Sequence, residues 1–177
     1  MTDYDQARCR AIELLVLDVD GVLTDGVIAV DDHGVETKHF HVRDGAGLTA
    51  WRRLGKRAAI LSGRSARAVE HRAADLSIAP VLQGVERKSG AFRSLLKELG
   101  LEPGQACYMG DDLADLGPLR LAGLAACPAD AAAEVRDVAH LVTTAPGGRG
   151  AVREVIEAIL GAQGVWESLV AEAGDDP

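Results

Sequence analysis

Two carboxylates one residue apart, Asp18 and Asp20 in "LLVLDVDGVLTDG", close an apolar run. Side chains alternate along an extended strand, so both start on one side. Two like charges so close are costly unless a proton or a cation is shared between them. A hard divalent ion such as Mg2+, which prefers oxygen ligands, removes that cost. A second acidic group, Asp111 and Asp112 in "ACYMGDDLADLG", ends another apolar run, with Asp115 placed where it could share a helix face with Asp111. Helix capping accounts for one aspartate at a helix start, not for three. Acidic strand ends converging from distant parts of the chain point to a metal, although a DxD alone is also compatible with a solvated acidic loop.

Two further stretches carry chemistry suited to the other side of such a metal. In "AILSGRSARAV", Ser62 follows an apolar run and Ser65 stands at a helix start. A hydroxyl and free backbone N–H groups there could hold phosphate oxygens, or serve only as caps. In "GVERKSGAFRSLL", Lys88 lies near a helix start, where a cation opposes the helix dipole. A nearby anion would compensate it; a solvated surface lysine is the alternative. His39 and His41 form an HxH pair able to face one metal, but no third ligand stands near them. Trp51 and Trp166 read as packing residues.

These groups need a scaffold that brings strand ends together. Apolar runs at residues 14–17, 57–61, 78–82, 106–109, 124–127 and 140–142 alternate with amphipathic segments around 47–54, 66–76, 89–99, a short piece after 112, 131–135 and 151–160. That alternation implies βαβ units and a parallel sheet. The expected fold is α/β, an open doubly wound (Rossmann-like) sheet, which binds ligands beyond the carboxyl ends of its strands. Residues 27–42, "VIAVDDHGVETKHFHV", break the pattern and read as a β-hairpin inserted after strand one, turning at Asp31, Asp32, His33 and Gly34. Its edges need cover, and pairing with another subunit is one solution. The whole chain, 1–177, reads as one domain, with a core over about 12–160 and a frayed end at 174–177.

Bulk properties narrow the function further. The 177 residues are 47% hydrophobic and 26% charged, as in an ordinary globular protein. Aromatics are 3% and the formal charge is −8, which disfavours base stacking and nucleic-acid backbones as partners. Cys9, Cys107 and Cys127 are odd in number and lack CxxC spacing, so neither a disulfide framework nor a zinc cluster is indicated. No apolar run approaches the ~20 residues of a membrane span, and "MTDYDQARCR" lacks signal-peptide features. A cytoplasmic location is expected.

Taken in order, "DVDGVLTDG", "LSGR", Lys88 and "GDDLAD" resemble the four motifs of the haloacid dehalogenase-like phosphatase superfamily. The longer stretches "LDVDGVLTDG", "KHFHVRDGAGL", "LSGRSARAVEHRAADL", "QGVERK" and "PGGRGAVREV" are similar to its branch acting on ulosonate 8-phosphates. The resemblance implies a Mg2+-dependent phosphatase of an acidic sugar phosphate, with a capless α/β core and a homotetramer whose hairpins meet as a barrel. It implies that Asp18 attacks phosphorus to form an aspartyl-phosphate and that Asp20 is general acid, then base. Mg2+ would be held by the Asp18 carboxylate, the Asp20 backbone carbonyl and Asp111, while Ser62 and Lys88 bind the phosphoryl group. Asp112 and Asp115 would orient metal waters and Lys88. A neighbouring subunit and the segment of Gly147, Gly148 and Gly150 would help close the site, with Arg43 and Arg64 pairing the substrate carboxylate. Ser62 stands where threonine is frequent in the family.

Three other readings fit less well or differ only in substrate. A response-regulator receiver places its acidic pair first and its phosphoacceptor on a later strand, the reverse of the order here. A non-catalytic tetrameric partner of a sugar nucleotidyltransferase need not keep Asp18, Asp20, Ser62, Lys88 and Asp111 together. Phosphatases of nine-carbon sialic-type 9-phosphates share these motifs.

Overall fold

A computed structural model describes residues 3–174. In chain order the elements are α1 (Asp3–Arg10), β1 (Leu14–Leu17), β2 (Ala29–Val30), β3 (Glu36–Thr37), α2 (Val42–Arg53), β4 (Arg57–Leu61), α3 (Arg67–Leu76), β5 (Val81–Leu82), α4 (Lys88–Leu99), β6 (Ala106–Met109), α5 (Leu116–Leu121), β7 (Leu124–Cys127), α6 (Ala133–Arg136), β8 (Leu141–Val142), α7 (Ala151–Ala162) and α8 (Trp166–Gly174).

The four apolar residues of β1 explain the layering. Leu14 and Val16 enter a cluster with Phe92, Leu95 and Leu119 from α4 and α5. Leu15 and Leu17 enter the opposite one with Leu48, Trp51, Val152 and Ile156 from α2 and α7. A strand covered on both faces must be apolar at every position, which is why the run does not alternate. Burying each such side chain stabilises by about 1.5–3 kcal/mol, so β1 is firmly anchored just before its aspartates. The sheet order is β5-β4-β1-β6-β7-β8, with every pair parallel. From β1 the connections run outward in both directions, and such a switch point opens a crevice at the carboxyl edge.

The doubly wound sheet and the inserted hairpin are both present, with shifted boundaries. β2 and β3 pair antiparallel outside the main sheet but hold only two residues each. Asp31 makes the turn, its Oδ1 accepting the N–H groups of His33 and Val35 at 2.9 and 2.8 Å. The expected second strand to residue 42 stops at Thr37, because His41 caps a helix that starts five residues before the expected 47. β5 is likewise shorter than 78–82, since Pro80 has no N–H to give the ladder. α1 was not expected; it lacks an apolar stripe, and Cys9 is its buried anchor. Gln163 fastens the chain leaving it, donating to the Cys9 and Ile12 carbonyls at 3.0 Å each. Trp51 and Trp166 do pack, the first donating its indole N–H to the Arg57 carbonyl at 2.8 Å and the second under the Arg153 guanidinium. Of the end expected to fray, 174–177, residues 175–177 lie outside the described residues.

Candidate active site

Asp18 leaves the sheet in register: its N–H still donates to the Met109 carbonyl of β6 at 3.0 Å. The chain then makes one wide irregular turn over Val19–Leu23, closed by the Thr24 N–H on the Val19 carbonyl at 3.0 Å. Val19, Val22 and Leu23 are buried and pin that turn. Gly21, at φ +83°, lies against Asp111; a Cβ there would stand 2.0 Å from Asp111 Oδ2. The glycine of "DVDG" is therefore what lets the carboxylate that follows β6 approach the loop that follows β1.

Lys88 is the first residue of α4 and is buried. Its Nζ lies 2.8 Å from Asp18 Oδ2 and 2.7 Å from Asp115 Oδ1, so the anions that offset the helix dipole are these two. Burial alone would lower the Lys88 pKa, but Asp18 and Asp115 outweigh it and hold the ammonium above the ordinary lysine value. Asp115 Oδ1 also accepts the Tyr108 hydroxyl at 2.6 Å, and its Oδ2 accepts the N–H groups of Asp111 and Asp112 at 3.2 and 3.3 Å. Burial, then Asp115, keep Tyr108 well above the usual phenol value, so it remains a donor. Asp115 sits at the end of a 3-10 turn, Leu113–Asp115, rather than on a helix face shared with Asp111. It folds back beneath the loop and fixes Lys88 and the Asp111 backbone together.

Asp18, Asp111 and Asp115 place carboxylate oxygens within 4.8 Å of one another. Asp115 is already committed to its donors, which leaves Asp18 and Asp111 as the pair facing the cavity. Burial, then Asp115, push the Asp18 carboxyl up to about 6 against the pull of Lys88. Burial, then the charges of Asp18, Asp115 and Asp112, push Asp111 up to about 7. Asp18 Oδ1 is buried and accepts no hydrogen bond among the described residues. One ammonium set against three crowded carboxylates, with an unsatisfied oxygen among them, suits a hard divalent cation. The donor set fits Mg2+.

Ser62 follows β4 directly, buried, with its N–H on the Leu82 carbonyl at 2.8 Å. It does not cap α3, which begins at Arg67 behind Ala66, so the capping alternative for this hydroxyl falls away. Asp18, Asp20, Ser62, Arg64, Lys88 and Asp111 all line one cavity of about 440 Å³. Arg64 reaches it while paired to Glu36 at 2.7 Å and lying 3.5 Å from Asp20 Oδ2. Asp112, exposed, caps the 3-10 turn through the Leu113 N–H at 2.8 Å rather than reaching Lys88. Arg43 is not brought to this cavity; it lines another with Arg149 and Arg153. The histidine pair is not a shared face either, since His41 Nδ1 accepts the Arg43 N–H at 3.3 Å as a helix cap.

The glycine-rich segment is packed rather than free over the site. The Gly148 N–H donates to the Val22 carbonyl at 2.9 Å, and a Cβ on Gly147 would stand 1.9 Å from the Gly21 carbonyl oxygen. Asp44 in α2 then caps α7, accepting the Gly150 and Arg153 N–H groups at 3.2 and 2.9 Å. The segment thus braces the turn carrying Asp20 from behind. Two residues at the site were not singled out from the sequence: Tyr108, whose hydroxyl inside an apolar strand had to find a partner, and Lys38, which hydrogen-bonds Asp20.

A DxD after the central strand, a hydroxyl after its neighbour, a buried lysine at a helix start and an acidic loop after the next strand define a haloacid dehalogenase-like phosphatase. No family model matches the chain. It is 44% identical over 158 residues to the 3-deoxy-D-manno-octulosonate 8-phosphate phosphatase KdsC of Escherichia coli K12, covering 89% of this chain and 84% of that one. A probable YrbI family phosphatase from Pseudomonas syringae superposes with a TM-score of 0.97 at 43% identity, covering 99% of this chain and 100% of the other. The 3-deoxy-D-manno-octulosonate 8-phosphate phosphatase of Moraxella catarrhalis, solved with a magnesium ion, a phosphate ion and a KDO molecule, gives 0.95 at 40% identity, covering 97% and 99%. The chain belongs to the 3-deoxy-D-manno-octulosonate 8-phosphate phosphatase family.

Proposed function

We propose that this chain is a Mg2+-dependent phosphatase that hydrolyses 3-deoxy-D-manno-octulosonate 8-phosphate to the free ulosonate and phosphate. The observation that carries the reading is the buried Asp18 carboxylate, one oxygen on Lys88 and the other without a hydrogen-bond partner among the described residues, beside Asp111 and Ser62 in one cavity. The Moraxella relative's magnesium, phosphate and KDO support the same ligand set. Asp18 attacks phosphorus through a carboxylate oxygen, and Asp20 gives a proton to the departing sugar oxygen. Asp20, now a base, takes a proton from the water that hydrolyses the aspartyl-phosphate. Lys88 and Ser62 hold the phosphoryl oxygens, Asp115 holds Lys88, and Arg64, which lines the same cavity, is the proposed partner of the sugar carboxylate. Asp18, Asp111 and the Asp20 carbonyl would hold Mg2+, which when bound would supply the charge neutralisation that lets an anionic nucleophile approach an anionic phosphate.

The test is phosphate release, with and without Mg2+, from the eight-carbon ulosonate 8-phosphate, nine-carbon sialic-type 9-phosphates and hexose phosphates. Preference for the first supports the reading; preference for a nine-carbon acid moves the substrate, and no Mg2+-dependent turnover removes the enzyme. The chain is read as one domain, a reading supported among the described residues by the packing of both α1 and α8 on α7. The working form is a homotetramer joined through the hairpin, where Val27, Ile28, Val30 and Val35 are 44–66% exposed. Light scattering that finds a monomer at micromolar concentration would count against that assembly. No helix among the described residues is long and apolar enough to cross a membrane, and the cytoplasm is the proposed location.

A further inference from the structure

The hairpin also faces inward. Lys38, just past β3, has a side chain only 3% exposed, and its ammonium hydrogen-bonds Asp20 Oδ1 and pairs with Glu36 Oε1 at 2.7 Å. The other Glu36 oxygen holds Arg64 at 2.7 Å, and Arg64 Nε lies 3.5 Å from Asp20 Oδ2. Asp20, Lys38, Glu36 and Arg64 therefore form a closed ring joining the hairpin to the loop after β1. Burying a flexible ammonium in this ring is expensive unless its partners are well placed. A ladder of two residue pairs would not hold itself in one position in water, so the ring is what ties the hairpin to the catalytic loop.

We propose that Lys38 is a positioning residue for Asp20, gripping Oδ1 so that Oδ2 is the oxygen that carries the proton. Oδ2, shielded from solvent and 3.5 Å from Arg64 Nε, accepts no hydrogen bond among the described residues, and Asp20 itself lines the catalytic cavity. The inference rests on the phosphatase reading. In the first half-reaction the Asp18–phosphorus bond forms, the bond from phosphorus to the sugar oxygen breaks, and the proton on Asp20 Oδ2 goes to that oxygen. In the second, water oxygen bonds to phosphorus, its proton goes to Asp20 Oδ2, and the Asp18–phosphorus bond breaks. Both steps need Oδ2 in one place, and Lys38 is the side chain that fixes it. The ring also makes the position of Asp20 depend on the order of the hairpin.

The experiment compares wild type with Lys38→Met and Lys38→Arg on the ulosonate 8-phosphate and on p-nitrophenyl phosphate, whose leaving group needs no proton. A misplaced catalytic group costs on the order of 100-fold, so Lys38→Met should lose about that much kcat on the sugar phosphate with KM changed by less than about threefold. On p-nitrophenyl phosphate it should release one nitrophenolate per site in a burst and then turn over slowly, since the aspartyl-phosphate still needs Asp20 as base. Lys38→Arg, which keeps a cation in reach of Oδ1, should recover most of the loss. Unchanged kcat, or a raised KM with unchanged kcat, overturns the proposal, as does a loss of kcat without the burst. Lys38→Gln keeps a donor at the position and carries the same comparison if Lys38→Met fails to fold. Wild type inactive on both substrates would instead sink the phosphatase reading.

Discussion

With Mg2+ removed, the site makes stability fall as pH rises through the weakly acidic range, opposite in sign to acid denaturation driven by paired carboxylates. Asp18 and Asp111 sit at about 6 and about 7 against an ordinary 3.8. Both folded-state values are raised, so between about pH 4 and pH 7 the folded, metal-free chain keeps protons that the unfolded chain has released. Their contribution is fully present below the unfolded value and is lost as pH climbs through the folded ones. At about 1.36 kcal/mol per unit the shifts would correspond to roughly 3 and 4 kcal/mol if independent. They are not independent, because the Asp18 charge is the second cause of the Asp111 shift, and partial solvation screens Asp111. About 3 kcal/mol for the pair is the working figure, or roughly 6–12 °C in Tm for a chain of this size. Mg2+ at about 100 times its Kd returns about 2.7 kcal/mol, and does so fully only where the carboxylates are ionised. Thermal unfolding followed by circular dichroism, in chelator and in Mg2+, at about pH 5 and about pH 8, reads both effects. The Asp111→Asn variant isolates them from other titrating groups: in chelator at the higher pH it should melt above wild type, and Mg2+ should no longer raise it. A variant that melts below wild type in chelator, or that Mg2+ still stabilises by the full amount, would refute this account of the acidic pair.

Three further outcomes follow from the same geometry. Asp18→Asn should stay folded by circular dichroism and lose at least about a thousandfold in kcat, as loss of a nucleophile does; substantial residual turnover would remove Asp18 from that role. Lys88→Met leaves Asp18 and Asp115 facing each other without their shared ammonium, so it should cost about 3–5 kcal/mol in denaturant unfolding without Mg2+ as well as abolishing phosphate release. Gly147→Ala drives a methyl group into the Gly21 carbonyl; forced overpacking of this kind costs about 1–3 kcal/mol, and kcat should fall because the strained loop is the one that carries Asp20.

How much of this was legible in the sequence depends on the range of the interaction. The run Leu14–Leu17 reads as a buried strand because its evidence is local, and the order of runs fixes the sheet because βαβ connections leave few choices. The convergence of Asp18 with Asp111 was legible too, since carboxylates at strand ends must meet at one edge of such a sheet. Boundaries failed where a side chain or an imino acid overrode periodicity: His41 capping α2, and Pro80 shortening β5. α1 escaped notice because it is held by Cys9 and by carbonyl contacts to Gln163, across more than 150 residues of chain. Lys38 escaped for a different reason. In a segment with four exposed valines and an exposed isoleucine, nothing local distinguishes a lysine facing water from one turned inward onto Asp20.

The three aspartates of "GDDLAD" show why a motif can be recognised before its parts are understood. Spacing alone allows Asp111 and Asp115 to share a face and act alike, yet the backbone turns between them and gives each a separate task. Asp112 caps the turn that makes the reversal possible. Asp115, fully buried, uses both oxygens on Lys88, Tyr108 and two backbone N–H groups. Only Asp111 is left facing Asp18 across the cavity. The lysine is held from below by a carboxylate that has no capacity to spare for a metal, while the carboxylate opposite Asp18 has no ammonium of its own. That division separates the buried ammonium, held between Asp18 and Asp115, from the pair of carboxylates that faces the cavity.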